Sequence, residues 1–265
     1  MRLKPLLPLM AVSPQSISTK LGGAPIQYLT KQHDSWFILA KGFLPSTSAG
    51  LEEQWDAHPE NKHELKVFGK VCHENRFSQQ WSATTDFAYN YSGSSAMSKS
   101  YLDDDTSPSA TMVRQLVETC NEITETDAYN AILQNWYDPT HTIGLHSDDE
   151  KQMKNEFPIF SLSWGGTRRF LFRPKSDRVK SDLLFEKMLE VYLADGDLLV
   201  MGGKAQDVTK HEVPKFRKTM DPSTGRRVNW TIRAMDMGEN TERKRKAAEL
   251  DNPQTQKRVV REEYI

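Results

Sequence analysis

Short apolar and β-branched runs alternate along the chain with Gly, Pro, Asp and Asn, a pattern of strands separated by turns. Strands are predicted at 26–29, 36–40, 64–68, 87–91, 131–137, 157–164, 169–172, 188–193, 197–201 and 228–234. One segment instead has helical periodicity. Ser107 is suited to cap it and Pro108 to its first turn. Val113, Leu116, Val117, Cys120 and Ile123 then share one face. That face is core, and Cys120 on it is packing rather than chemistry. A weaker helix is predicted at 51–57. Many short strands with few helices favour an α+β, mainly β fold built as a sheet sandwich over alternating strand–helix units.

Composition sets outer bounds. At 265 residues the chain is long enough for a sizeable core. With Lys plus Arg at 35 and Asp plus Glu at 36, it is not a globally basic nucleic-acid binder, although a local basic face is allowed. Two cysteines exclude a disulfide scaffold and a four-cysteine zinc site, and suit a reducing compartment. No apolar run is long enough for a membrane span. Residues 1–24 are expected to be a disordered arm, with organelle targeting as the alternative, and 25–238 a single domain. Residues 239–265, which lack apolar periodicity, are expected to be a basic, disordered tail. Its basic clusters, Arg243 to Lys246 and Lys257-Arg258, are separated like a bipartite nuclear import signal; a solvated charged tail is the alternative, and cytoplasm or an organelle stays open. Asp103, Asp104 and Asp105 precede the capped helix, where acidic side chains are favourable without any metal.

Candidate chemistry gathers in three places. In an extended His146-Ser147-Asp148, residues two apart point to one side, so an imidazole and a carboxylate can converge on an ion. His211 follows a later strand and can return beside them in a rolled antiparallel sandwich. Two histidines and one carboxylate leave open positions on an octahedral metal, the arrangement of non-haem Fe(II) oxygenases. The segment Arg227-Val228-Asn229-Trp230-Thr231-Ile232-Arg233 then puts two guanidiniums, an amide and a hydroxyl on one strand face. Burying that face requires an anionic partner, and a dicarboxylate supplies one.

These motifs resemble the AlkB family of Fe(II)- and 2-oxoglutarate-dependent oxygenases. The family pattern runs Asn-x-Tyr, His-x-Asp, a distant His, then Arg-x-Asn-x-Thr-x-Arg. Here it reads Asn135-Trp136-Tyr137, His146-Ser147-Asp148, His211 and 227–233. Val67-Phe68-Gly69-Lys70 and Tyr89-Asn90-Tyr91 resemble the base-probing loops of eukaryotic members that repair alkylated duplex DNA. Asp149-Glu150 resembles the acidic pair after the metal turn, and Arg169 to Arg173 a strand lining the substrate cleft. Trp136, Trp230 and the 212–226 connection depart from the family pattern.

The resemblance implies a double-stranded β-helix (jelly-roll) core with flanking helices and nucleotide-recognition loops. It implies Fe(II) on His146, Asp148 and His211, with 2-oxoglutarate and O2 as co-substrates. Arg227 would pair with the far carboxylate, aided by Tyr137 and Asn229; Asn135 and Arg233 would hold the near end, and Thr231 would add a hydroxyl contact. The implied reaction hydroxylates a methyl on a ring nitrogen, as in 1-methyladenine or 3-methylcytosine, and releases formaldehyde and succinate. The base would be flipped out, with Phe68 filling the gap, Tyr89 and Tyr91 flanking the base and Asp149 facing it. Lys70, Arg76 and the 215–218 segment are candidate phosphate contacts. Between 213 and 246 there are ten Lys or Arg against four Asp or Glu. The expected partner is duplex or single-stranded DNA and the expected state a monomer. Methylated RNA, a protein side chain, or a non-catalytic nucleic-acid module are the alternatives.

Overall fold

The computed structural model describes residues 12–67, 70–84, 87–91, 94–103, 107–217 and 225–238, with the backbone alone at 66, 67, 89–91 and 94–96. The chain opens with α1 (Pro14–Lys20), β1 (Ile26–Tyr28), β2 (Ser35–Ala40) and α2 (Ser48–Asp56). Two hairpins follow, β3 (Glu64–Val67) with β4 (Lys70–His73), and, after β5 (Phe77–Ser82), β6 (Ala88–Tyr91) with β7 (Ser94–Met97). Next come β8 (Lys99–Ser100), α3 (Pro108–Thr124), β9 (Tyr129–Tyr137), β10 (Ile143–His146), β11 (Ile159–Gly165) and β12 (Arg168–Pro174). The remainder is β13 (Leu189–Leu193), β14 (Leu198–Gly203), α4 (Ala205–Val208), β15 (Thr209–Val213) and β16 (Arg227–Ala234).

Eight strands form a major sheet ordered β1-β2-β14-β11-β16-β9-β5-β8, and four form a minor sheet ordered β10-β15-β12-β13. Together they make the jelly roll, and alternation along each strand supplies its two apolar layers. On β16, Val228, Trp230, Ile232 and Ala234 join the layer beneath the helices, with Val113, Leu116 and Cys120 of α3. Between the sheets lies a second layer holding Phe37, Ile159, Phe170, Phe172, Leu199 and Val213. The opposite parity of β16, which carries Arg227, Asn229, Thr231 and Arg233, is also buried.

Helix α3 is capped as predicted. Ser107 Oγ accepts the Ala110 N–H at 3.2 Å, and the chain leaves the helix through Glu125 in the left-handed region. Helix α2 starts earlier than predicted because Thr47 caps it, accepting the Gly50 N–H at 3.0 Å. The expected arm at 1–24 is corrected in its second half. Ser13 caps α1, Pro14 starts it, and Ile17 is fully buried beside Leu21 in the helix-side core. Residues 1–11 and the tail 239–265, with its basic clusters, lie outside the described residues. No described helix is long and apolar enough to cross a membrane.

Candidate metal and co-substrate site

The minor sheet assembles three residues that could hold a metal ion. Strands β10 and β15 pair antiparallel with His146 opposite His211, and their ring centroids lie 4.3 Å apart. Asp148 lies two residues beyond. Its N–H donates to Gln206 Oε1 at 2.9 Å, and Ser147 Oγ donates to the Thr209 carbonyl at 2.9 Å, so the turn is fixed to the chain entering β15. One ligand atom from each of the three residues lies within 4.8 Å of the others, and they are the cluster of this kind found among the described residues.

Their protonation suits a metal. His146 Nδ1 sits 2.8 Å from the Gly144 carbonyl, a contact that places the proton there and frees Nε2. Burial, then repulsion from His146, lowers the pKa of His211 to about 3 despite the attraction of Asp148, so its imidazole is neutral. Phe170 stacks on that ring at 5.1 Å. Burial acts to raise Asp148, but Arg233 and the two histidines outweigh it, and the carboxyl stays below its ordinary range. Arg233 donates through Nη2 to Asp148 and through Nη1 to Glu150, the latter at 3.2 Å. Two imidazoles and one carboxylate on one side of an ion suit a non-haem ferrous centre.

The major sheet supplies the other wall. Arg227 lies opposite Tyr137, and Asn229 opposite Asn135, in the β16–β9 register. The Arg227 side chain is 1% exposed and sits 5.0 Å from the centroid of the Tyr137 ring. Burial lowers its pKa to about 10, with Tyr137 opposing the shift, so it remains a cation at neutral pH. Nη2 donates to Ser163 Oγ at 2.9 Å, whereas Nε and Nη1 have no partner among the described residues. A buried guanidinium in that condition calls for an anion. Asn229 donates to Ser161 Oγ and to the Leu162 carbonyl at 2.9 and 2.7 Å, and Thr231 donates to Asn229 Oδ1 at 3.4 Å. A narrow cavity joins Tyr137, Arg227 and Thr231 to His146, Asp148 and His211. The residues present therefore fit both a divalent metal and a dicarboxylate beside it.

Above this floor opens a cleft of about 850 Å³, lined by Leu145, His146, Asp149, Glu150 and Arg76, among others. Several sequence expectations change here. Arg76 is not at the surface where a phosphate would reach it. It is 7% exposed, pairs with Glu74 at 3.2 Å and donates from Nε to Asn135 Oδ1 at 2.6 Å. Arg169 was expected to line the substrate cleft. Alternation on β12 puts Phe170 and Phe172 between the sheets and turns Arg169 outward, where it meets Glu190 at 3.3 Å. Though only 5% exposed, it lines a neighbouring cavity of about 480 Å³ with Arg173, Lys215 and Arg217, which adjoins the cleft at Ile143 and Gly144. Arg168 takes the inward parity, with Nη2 donating to the His141 and Pro214 carbonyls and its guanidinium 5.9 Å from the Tyr137 ring centroid.

Glu150 turns inward to Arg233, whereas Asp149 is exposed and paired with Lys175 at 2.9 Å. Lys70 is exposed at the start of β4. Tyr89, Asn90 and Tyr91 lie on β6, described by backbone alone, and Phe68 and Gly69 fall outside the described residues. Sequence reasoning missed Arg168, Glu74 and Gln206, which belong to no motif. Period-two parity on β12 was the one clue that could have found Arg168.

A family model described as the 2OG-Fe(II) oxygenase superfamily matches residues 37–233, and the chain belongs to that superfamily. Its curated relatives include AlkB homologues, in agreement with the motif resemblance. The DNA oxidative demethylase ALKBH2 of Bos taurus is 32% identical over 170 residues, covering 64% of this chain and 56% of its own. The Homo sapiens ALKBH2 is 31% identical, covering 64% and 60%. The alpha-ketoglutarate-dependent dioxygenase alkB homolog 3 of Mus musculus is 35% identical over 109 residues, 40% and 37% of the two chains. The chain thus spans little more than half the length of the first two of these relatives. The solved structure of OsALKBH1 covers 79% of this chain and 99% of that one, with a TM-score of 0.45 and 19% identity.

Proposed function

We propose that this chain is an Fe(II)- and 2-oxoglutarate-dependent dioxygenase that removes methyl groups from ring nitrogens of DNA bases of the 1-methyladenine and 3-methylcytosine type. One observation carries the chemistry: a fully buried Arg227, whose Nε and Nη1 have no hydrogen-bond partner among the described residues, closes a cavity whose other end is His146, Asp148 and His211. DNA as the substrate is supported by the relatives named DNA oxidative demethylase and by the base-probing motifs. A nuclear site of action and a monomeric state belong to the same reading.

His146, Asp148 and His211 would hold the iron, and Arg227 the far carboxylate of 2-oxoglutarate. When bound, these groups and O2 supply the oxidising power that hydroxylates the methyl carbon, leaving succinate and carbon dioxide; the hydroxymethyl group then departs as formaldehyde. The protein's part is placement. Arg233 keeps Asp148 ionised and oriented, Gln206 fixes the Asp148 backbone, and Arg76 holds the Asn135 carboxamide. Phe170 covers His211 on the side of the inter-sheet core and excludes water there. The open cleft is where an extruded base would enter, with Asp149 at its rim facing a cationic ring.

The test is formaldehyde and succinate release from matched duplex DNA, single-stranded DNA and RNA oligonucleotides carrying 1-methyladenine or 3-methylcytosine. Turnover on DNA that needs both Fe(II) and 2-oxoglutarate is expected. Turnover confined to RNA would move the assignment to an RNA demethylase, and none with any base would favour the non-catalytic module.

A further inference from the structure

The loop behind the metal turn is held by a contact that neither the metal nor the dicarboxylate needs. Asp149 has a side chain 58% exposed, and its partner among the described residues is Lys175, whose Nζ donates to Oδ2 at 2.9 Å. Lys175 is itself anchored. Its Nζ also donates to the Gln206 carbonyl at 2.9 Å, and its backbone N–H donates to the Val208 carbonyl at 2.9 Å. The ammonium therefore stays beside the cleft whatever Asp149 does.

The other carboxylates lining the cleft are committed deeper down. Glu74 is bound to Arg76, and Asp148 and Glu150 are bound to Arg233. Those side chains are 1%, 4% and 14% exposed. Asp149 is thus the cleft carboxylate whose ion pair lies at the surface, where water screens it and leaves it weak and exchangeable. A cationic base entering the cleft would meet a carboxylate already neutralised by a fixed ammonium. A neutral base has no charge to offer in exchange.

We propose that Lys175 is a built-in counter-ion that a cationic base displaces from Asp149, so that Lys175 sets the margin by which the cleft prefers cationic over neutral methylated bases. The inference rests on the base-demethylase reading above and adds to it the residue that limits selectivity. With Lys175 present, capture of a cationic base costs one ion pair; without it, that cost disappears. A neutral base binds without breaking the pair, so only the cationic arm should move.

The test is equilibrium binding, by fluorescence anisotropy, of two oligonucleotides of one sequence to the full-length protein without added iron. One carries 3-methylcytosine, which is cationic, and the other 3-methylthymine, which is neutral and methylated at the same ring position. Loss of a lysine weakens phosphate attraction in both alike, so the affinity ratio is the readout. Lys175→Met is expected to raise the cationic-to-neutral ratio roughly fivefold, while Lys175→Arg keeps it near the starting value. Asp149→Asn should bring the ratio toward one and make Lys175→Met silent in the double variant.

A ratio unchanged or lowered by Lys175→Met, with Asp149→Asn still lowering it, would overturn the role of Lys175 and leave the base reading standing. A ratio that Asp149→Asn does not alter would remove the base from Asp149 altogether. Equal melting temperatures of the Met and Arg variants separate charge loss from misfolding.

Discussion

Strand β16, in the floor of the site, and strand β4, in the first hairpin, could hardly be more different. Every residue of β16 is buried, polar ones included, and every residue of β4 is exposed. On β16, burial makes each charge costly, so each is tied to a partner or awaits one. On the hairpins, Val71 of β4 is 59% exposed and Met97 of β7 is 61% exposed, and at the cleft the Asp149–Lys175 ion pair lies at the surface. The floor is built to fix atoms in place, and the rim is built to yield. A substitution in the floor should therefore change chemistry and stability together, whereas one in the rim should change binding alone.

The sharpest way to break this contrast is at Asp148. Asp148→Asn removes a proposed metal ligand and the carboxylate that faces Arg233, so titration with Fe(II) or Mn(II) under anaerobic conditions should show no specific site. Calorimetry should find the metal-free protein about 3 kcal/mol less stable. Retained tight metal binding would remove Asp148 from the centre.

Arg227→Met should weaken 2-oxoglutarate binding on the order of 100-fold, because a charge-assisted bidentate contact is lost. The same variant should melt higher than the parent in the absence of co-substrate, since a buried guanidinium with two nitrogens unpartnered among the described residues is replaced by an apolar chain of similar length. A fall in both quantities would mean that Arg227 is structural rather than poised for an anion.

On the two hairpins that carry the base-probing motifs, Val71→Ser and Met97→Ser should leave stability within about 0.5 kcal/mol while lowering affinity for lesion-bearing DNA severalfold. A melting shift like that of a core variant would show that the hairpins pack more firmly than their exposure implies. The smallest effect concerns the two thiols. Burial pushes the Cys120 thiol well above its usual range, whereas Cys72 on β4 is exposed. Iodoacetamide at mildly alkaline pH should label Cys72 alone, and Cys120 only after unfolding, as mass spectrometry would read out.

The floor was legible in the sequence because its physics leaves a periodic trace. Arg227, Asn229, Thr231 and Arg233 alternate with Val228, Trp230 and Ile232, and such a polar face cannot be buried without an anion. What escaped has no such trace. Strand β5 carries Ser78, Gln79 and Gln80 and looks like a loop, yet it is a strand because its backbone pairs with β9. Strand β10 is four residues long and holds a glycine, and its existence depends on β15. Helix α1 has few apolar positions, and it is fixed by one fully buried isoleucine. Arg76 shows nothing in sequence to set it apart from a surface arginine, and its position against Asn135 comes from the β5–β9 pairing.

The pairing of His146 with His211 across two strands has a mechanical meaning. A slip of one residue would send one imidazole to the far side of the sheet. Chelation would therefore certify that the strands have aligned correctly, and a bound ion would act as a removable staple between distant stretches of chain. Heat resistance gained on loading the ion should accordingly rise with its free concentration, and should vanish in chains whose alignment has failed.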